Sequence, residues 1–245
     1  MQLFYIAHVP NSRFHTAISY PRYSRYLVAC GNNKRAALKL YRANMKLSAA
    51  LYTVIGIFEI ILRNSIDRHM TKALGKEWLA DAIKPGGYLE TRGCERSYRD
   101  VKKKVRSLGD AYTHDKLVSE LTFSFWVYQF ANKQFAACGS TLLDIFHNRP
   151  FGIFQKDIFQ FLVKIKDLRN RIAHYEPICF HNQTISITET YKRYQTLLQL
   201  LSWLGCHPRK ILFVLDRVPH RIQTISTLHP KNFPKTQLQT RTFPH

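Results

Sequence analysis

The long segment 34–74, which contains no proline, constrains the fold more than any other part of the chain. Its sequence, KRAALKLYRANMKLSAALYTVIGIFEIILRNSIDRHMTKAL, is rich in residues with high helix propensity. On its second half, apolar side chains recur at three- and four-residue steps and form a broad stripe: Leu51, Val54, Ile55, Phe58, Ile61, Leu62 and Ile66. The segment therefore predicts either two helices or one long helix interrupted near Gly56.

Helical spacing continues through most of the remaining sequence. It is seen at 95–109, 115–130 and 189–205, with a further short helix expected at 208–216. A second apolar stripe is formed by Phe154, Ile158, Phe161, Leu162, Ile165, Leu168 and Ile172. Only TISIT, 184–188, shows the alternation of a strand. These patterns predict an all-α bundle with one domain over 1–216. Residues 217–245 hold prolines and basic residues but no acid, and predict a loosely ordered basic tail.

The charge of the chain points to a polyanionic partner. Lysine and arginine total 37 against 16 acidic residues, a formal charge of +21. Such an excess attracts RNA or DNA, although a merely basic soluble protein is the alternative. Within SYPRYSRYL, 19–27, Arg22 and Arg25 alternate with Tyr20, Tyr23 and Tyr26. Cations beside aromatic rings suit single-stranded RNA, but the tyrosines would equally suit packing beneath the next helix.

The cysteines and the apolar segments favour a cytoplasmic protein. The 5 cysteines are widely spaced and form no CxxC pair, which argues against a disulfide scaffold or a cysteine zinc site. No charged start followed by an apolar signal core is present. The longest apolar run, 51–62, is short for a bilayer span and contains Glu59. A soluble, cytoplasmic protein without a membrane partner is therefore expected.

The segment DLRNRIAHYEP, 167–177, carries the residues with the clearest chemical potential. Asn170 and His174 are four positions apart and share one face of the helix that the preceding stripe predicts. Pro177 disfavours helical geometry at the residue before it, so the helix should end within a residue or two of His174. A histidine changes its charge near neutral pH, which is what proton transfer requires.

The chemistry that fits these residues is cleavage of RNA by its own 2′-hydroxyl. His174 would accept the 2′-OH proton or donate one to the departing 5′ oxygen. Arg169 would hold the scissile phosphate, and Asn170 would orient the histidine or bind a phosphate oxygen. No metal or other cofactor is required, because the nucleophile belongs to the substrate. The expected products are a 2′,3′-cyclic phosphate, or the phosphate to which it opens, and a 5′-hydroxyl.

The segment LRNRIAHYEPI, 168–178, resembles the signature of Abi-like (abortive-infection) proteins of the HEPN superfamily. The resemblance extends in order through 19–27, 40–52, 58–66 and 116–126. It implies a HEPN-like helical bundle with additional N-terminal helices that commonly dimerises, so that two Arg…His helices form one composite ribonuclease site. Such proteins are similar to toxins of phage defence or toxin–antitoxin systems, and some pair with a small antitoxin RNA.

The resemblance also assigns individual roles. Arg169, Asn170 and His174 match the catalytic arginine, the polar residue after it and the catalytic histidine. Tyr175 stands where a second histidine is expected, a change that bears on how the site holds RNA. Ser124 stands in place of a typical glycine and bears on helix packing.

Neighbouring residues are candidates for supporting roles. Glu59 and Arg63, four apart, should form a pair along their helix that is structural or supports the site. Glu176 is a candidate for orienting His174, or else an acid without a partner. Arg171 is a candidate for contacting phosphate, and the alternative is that it is solvated. Tyr175 is a candidate for contacting RNA.

Several alternatives remain open. Arg63 and His69 repeat the arginine–histidine spacing, so His69 is a weaker candidate for a second catalytic histidine. A metal site of His174, Cys179 and His181 has no recognised zinc spacing. A protein of the same fold that binds RNA without cutting is the second functional hypothesis. A DNA-binding regulator is the weakest, because no helix-turn-helix pattern is present.

Overall fold

A computed structural model describes residues 18–228 of the chain, and that part is built almost entirely from helices. The eleven α-helices are α1 (Tyr20–Ala29), α2 (Lys34–Leu74), α3 (Trp78–Asp81), α4 (Glu95–Leu108), α5 (His114–Glu120), α6 (Phe123–Tyr128), α7 (Asn132–Ala137), α8 (Gln155–Ala173), α9 (Thr188–Trp203), α10 (Pro208–Ile211) and α11 (Val218–Leu228). Short 3₁₀ helices lie at Tyr88–Glu90, Gly109–Ala111, Leu142–Ile145 and Phe213–Leu215. The prediction of an all-α protein is confirmed.

Helix α2 is continuous through Gly56, so the prediction of one long helix holds and the interruption does not occur. A single glycine costs about 1 kcal/mol in a helix interior. Burial of the predicted stripe outweighs that cost, since all its members except the half-buried Ile61 are buried.

The predicted helix at 115–130 is instead two helices, α5 and α6. Thr113 caps α5 by accepting a hydrogen bond from the Lys116 backbone N–H at 3.2 Å. Thr122 caps α6 in the same way, accepting from the Phe125 N–H at 3.4 Å. A threonine at an N-cap satisfies a backbone donor that has no partner within the helix, so each cap fixes a helix start.

The strand signal at 184–188 corresponds to a small antiparallel ribbon. Strands β1 (Phe180–His181) and β2 (Thr184–Ile185) pair with Phe180 opposite Ile185 and His181 opposite Thr184. Asn182 adopts a φ of 53° in the turn between them, a conformation that asparagine tolerates better than most residues.

By its internal contacts the chain divides into two compact units. Within the described residues, the first unit comprises 18–52, 171–192 and 216–228, and the second comprises 53–170 and 193–215. Helices α2, α8 and α9 each contribute residues to both. A single domain over 1–216 therefore stays a prediction.

The first unit has an aromatic core. The rings of Tyr23, Tyr26 and Tyr41 lie within 6.5 Å of one another, and Tyr26 contacts Phe180 edge-on at 5.2 Å between centroids. Helix α11 adds the buried side chains Val218, Ile222 and Ile225.

The prediction of a loosely ordered tail from 217 onward is wrong over 218–228. The residues Val218, Ile222 and Ile225 recur at helical spacing and are buried, so this segment forms a helix. Its single proline, Pro219, stands in the first turn, where proline is tolerated. Residues 229–245, the rest of the predicted tail, lie outside the described part of the chain.

The second unit has its core around the second half of α2 and most of α8. Phe58 of α2 contacts Phe123 of α6 at 6.3 Å, and Trp78 contacts Trp126 at 6.5 Å between ring centroids. Helix α8 buries Ile158, Leu162, Ile165 and Leu168, as its predicted stripe requires. This burial fixes which face of α8 is directed to solvent.

Helix α2 is long and apolar enough to cross a membrane by length and composition. The core helix of a soluble protein passes the same test, so this is weak evidence. The location of the protein stays a prediction.

Candidate functional site

The candidate motif lies where helix α8 ends. Arg169 and Asn170 are half-buried in its last turns, and the helix ends at Ala173 with His174 exposed directly after it. The Tyr175 N–H donates to the Ile172 carbonyl at 3.0 Å and the Glu176 N–H to the Arg171 carbonyl at 2.9 Å. This pair of bonds is the Schellman arrangement, in which His174 is the C-cap residue. The predicted helix end within a residue or two of His174 is confirmed.

Tyr175 occupies the left-handed position of this helix end. Its φ is 56° and its side chain is 61% exposed. Glycine is the usual residue there, because a β-carbon in this conformation costs about 1–2 kcal/mol. The exposed ring gains no burial that would offset this strain. A strained, exposed aromatic residue beside a candidate catalytic histidine is typical of a functional position.

Replacing Tyr175 with glycine is expected to stabilise the protein by about 0.5–1 kcal/mol. The variant removes the strain, and the greater freedom of glycine in the unfolded chain cancels part of the gain. Urea unfolding checks this, with Tyr175→Ala as the control, since alanine keeps the strain. A glycine variant less stable than the alanine variant would contradict the prediction.

Arg171 and Glu176 hold the segment of chain that follows the helix. The Arg171 Nε lies 3.3 Å from Glu176 Oε2, and its Nη2 donates to the Pro177 carbonyl. Glu176 was a candidate for orienting His174, but its carboxylate pairs with Arg171 instead. The prediction that Arg171 contacts phosphate is likewise weakened, because its guanidinium is already engaged in fixing the turn.

Asn44 anchors the segment that follows the motif. It is 1% exposed, and its Oδ1 accepts hydrogen bonds from the backbone N–H groups of Ile178 at 2.9 Å and Cys179 at 3.2 Å. The Thr190 hydroxyl donates to the Ile178 carbonyl at 2.6 Å. Sequence reasoning missed Asn44. The signal was an asparagine among the buried residues Leu40, Leu47 and Leu51 on α2.

Arg169 belongs to a charge cluster with Glu59 and Arg63. Burial of the Glu59 carboxyl raises its pKa, while the positive charges of Arg169 and, more weakly, Arg63 oppose that rise. The sequence predicted a Glu59–Arg63 pair. In residues 18–228, however, no ion pair within 4.0 Å joins them, and Arg169 acts on the carboxylate more strongly. Glu59, Arg63 and Arg169 all lie in the second unit.

Replacing Glu59 with glutamine is expected to stabilise the protein at neutral pH. A carboxyl whose pKa is raised on folding favours the folded state only when protonated, and this contribution is lost as the pH rises through the raised pKa. The amide cannot ionise, so it removes the cost at pH 7. Below the ordinary pKa of glutamate, about 4.3, the two proteins should have equal stability.

Urea unfolding at pH 7 and pH 4 measures this difference. Asp110→Asn, at an exposed acid, serves as a control expected to change stability by less than about 0.5 kcal/mol at both values. A glutamine variant that is less stable than the parent at pH 7 would show that the charge attraction exceeds the cost of burial.

The predicted RNA-binding residues of the N-terminal segment have different outcomes. Tyr23 is 1% exposed, and its hydroxyl donates to the Lys34 carbonyl at 3.0 Å, so it packs beneath α2 and presents no face to a base. Arg25 is half-buried; its guanidinium lies 4.6 Å from the Phe180 ring centroid and donates to the Asn182 carbonyl. Of the five tyrosines and arginines that alternate over 20–26, only Tyr20 and Arg22 are exposed. Tyr23 therefore has a packing role beneath α2, and the prediction that it binds RNA is wrong.

The weaker alternatives for catalysis and metal binding lose support. His69 Nε2 lies 2.8 Å from the Thr141 hydroxyl, which gives this histidine a structural partner. Burial raises the pKa of Cys179 to about 12, which disfavours the thiolate that a metal requires. Over residues 18–228, no group of three or more His, Cys, Asp or Glu side chains is placed to hold a metal ion.

In the described part of the chain, the three motif residues thus follow one another along the last turns of α8 and its C-terminal end. Arg169 and Asn170 lie in the second unit and His174 in the first. The supporting role of Glu59 and Arg63 stays a prediction, whereas Arg171 and Glu176 fix the turn that follows His174.

Comparison with known proteins gives no relative for this chain: no family model, no curated protein and no solved structure matches it.

Proposed function

We propose that this protein is a metal-independent endoribonuclease of the HEPN type, related to Abi-like toxins of phage defence or toxin–antitoxin systems. It acts as a homodimer in which Arg169, Asn170 and His174 of each chain form one composite site. The observation that carries this proposal is the end of α8, where an exposed histidine follows a half-buried arginine that belongs to a charge cluster.

The reaction divides proton transfer between two histidines. One His174 accepts the proton of the 2′-hydroxyl as the 2′ oxygen forms a bond to phosphorus. The bond from phosphorus to the 5′ oxygen then breaks, and the second His174 donates a proton to that oxygen. General acid–base catalysis of this kind contributes about 10²- to 10⁴-fold to a rate. The two roles explain why a dimer is needed.

Arg169 stabilises the negative charge that develops on the phosphate. Two guanidinium groups, those of Arg169 and Arg63, act on the single carboxylate of Glu59, so the cluster keeps an excess positive charge. That excess suits a phosphate group, to which arginine donates strong charge-assisted hydrogen bonds. In this proposal Glu59 supports the site through its charge, which acts on Arg169.

The exposure of His174 suits a substrate that approaches from solvent. The Schellman hydrogen bonds fix the backbone on either side of His174, while its imidazole ring stays accessible. Tyr175, exposed beside it, offers a ring on which an RNA base can stack.

The test is incubation of purified protein with mixed cellular RNA and with labelled oligonucleotides in EDTA across a range of pH. The proposal expects cutting with a bell-shaped dependence of rate on pH, since one histidine must be neutral and the other protonated. Salt-dependent binding without any product would instead establish the second candidate, an RNA-binding protein that acts by sequestration or ribonucleoprotein assembly.

A further inference from the structure

Helix α4 carries a continuous stripe of positive charge on its solvent face. Arg96, Arg99, Lys103 and Arg106 follow one another at steps of three, four and three residues, and all four are exposed. Residues at these steps lie on the same side of a helix, and at 1.5 Å per residue the stripe is about 15 Å long. We call Arg96, Arg99, Lys103 and Arg106 the α4 stripe. Arg92, which precedes the helix and is not counted in the stripe, is also exposed.

The α4 stripe is only partly neutralised by acids of the described chain. Within residues 18–228, none of its members takes part in an ion pair shorter than 4.0 Å. The acids on the helix are Glu95, whose carboxylate accepts the Gly93 N–H, and Asp100. Glu120 of α5 pairs at 2.7 Å with Lys104, which is outside the stripe. Backbone hydrogen bonds and, more weakly, the charges of Arg92 and Arg99 lower the pKa of Glu95, so one acid does act on the stripe without a close ion pair. Four cations against this acid leave the stripe an excess of positive charge for a partner from solution.

One end of the α4 stripe lies beside the helix that carries Arg169. The guanidinium of Arg96 lies 5.4 Å from the centroid of the Tyr128 ring, and Lys166 Nζ lies 5.6 Å from the same centroid. Lys166 belongs to α8, one turn before Arg169 and Asn170. All these residues are in the second unit. Lys166 Nζ also lies 3.2 Å from Asp167 Oδ1, so this lysine is partly neutralised. The α4 stripe thus leads from Arg106 to Arg96, and Arg96 shares the Tyr128 ring with the helix that carries the candidate catalytic arginine.

From this arrangement we propose that the α4 stripe binds the phosphate backbone of RNA and directs the strand toward Arg169. The identification of RNA rests on the proposed function. Lysine and arginine at regular spacing neutralise successive phosphates without reading bases, so the contact is independent of sequence. The stripe supplies affinity and orientation, while the end of α8 performs the chemistry.

The composition of α4 argues against an anionic membrane as the partner. A helix that binds a lipid surface presents an apolar face to the acyl chains beside its basic face. In α4, Val101 is buried, while Val105 and Leu108 are half-buried. The exposed residues of the helix are charged or small and polar, so it has no accessible apolar face with which to enter a bilayer.

The salt dependence of binding to a 2′-O-methyl RNA tests this inference, because such an RNA lacks the nucleophile and cannot be cut. The test variant replaces Arg96, Arg99, Lys103 and Arg106 with glutamine. Each phosphate contact contributes about 0.7 to the slope of log affinity against log salt for a single strand, so the slope should fall by about 2–3.

The matched control removes the same charge from other exposed sites of the second unit, by replacing Lys72, Lys76, Arg209 and Lys210 with glutamine. Its slope should change by less than about 1. The double variant Arg99→Gln/Arg106→Gln should lose about half the effect of the full variant, and it retains Arg96 over Tyr128 in case the full variant does not fold.

A stripe variant whose slope matches that of the control would overturn the inference. So would stripe-dependent binding to phosphatidylserine vesicles with unchanged RNA binding. Cleavage of unmodified RNA by the same proteins separates this inference from the proposed function. If the protein cuts RNA and the stripe variant changes neither binding nor cutting, only the inference about the stripe is wrong. If RNA binding depends on the stripe but no protein cuts, only the proposed nuclease activity is wrong.

Discussion

Replacing His174 with alanine is expected to lower the rate of RNA cleavage by about 10²- to 10⁴-fold, the usual contribution of a general acid or base. The side chain is exposed at the end of α8, so its loss creates no cavity. Stability should therefore change by less than about 0.5 kcal/mol. Rate and stability are measured on the same preparation, by cleavage of a labelled RNA in EDTA and by urea unfolding.

His207→Ala is the matched control, because His207 is an exposed histidine at the start of another helix, α10. Its cleavage rate should equal that of the parent. Arg169→Lys supplies a second comparison, since lysine keeps the charge but loses the fork of donors that holds a phosphate. An alanine variant at 174 that cuts at the parental rate would place the active site elsewhere in the molecule.

Replacing Asn44 with alanine is expected to destabilise the protein by about 2–4 kcal/mol. The side-chain oxygen of Asn44 accepts two buried backbone hydrogen bonds, from Ile178 and Cys179. Alanine leaves both donors without this acceptor, at about 1–3 kcal/mol for each buried unsatisfied group, and relaxation of the segment recovers part of that cost. Because the segment directly follows the turn after His174, cleavage should also fall.

Equilibrium unfolding in urea measures this loss. Ser48→Ala is the control: Ser48 is a buried polar residue one turn later on α2 with no part in the two hydrogen bonds. It should cost about 1 kcal/mol or less. Equal losses in the two variants would show that Asn44 does no more than fill space in the helix.

Local sequence patterns predicted the helices well because those signals are carried by neighbouring residues. The stripes of α2 and α8 recur at helical spacing, and Pro177 sets the end of α8 through its effect on the residue before it. The helix at 218–228 was missed because composition outweighed periodicity in that segment. The prolines and positive charge of 217–245 as a whole suggested a tail, whereas Val218, Ile222 and Ile225 supplied enough apolar surface for burial.

The site itself was only partly predictable, because its long-range contacts leave little trace in the sequence. The motif gave Arg169, Asn170 and His174 as candidates. The action of Arg169 on Glu59, however, joins residues far apart in the chain and follows from tertiary packing. Tyr23 illustrates the opposite error. Alternation of tyrosine with arginine suits both stacking on bases and packing beneath a helix, and only its burial decides for packing.

Identification of the product ends tests the central claim most directly. Purified protein is incubated in EDTA with a labelled RNA and with the same strand carrying 2′-deoxy sugars at its cleavage positions. We predict 2′,3′-cyclic phosphate and 5′-hydroxyl ends from the RNA, with no cutting at the deoxy positions. Cutting at the deoxy positions, or products with 5′-phosphate ends, would contradict the account, because either would require a nucleophile other than the 2′-hydroxyl of the substrate.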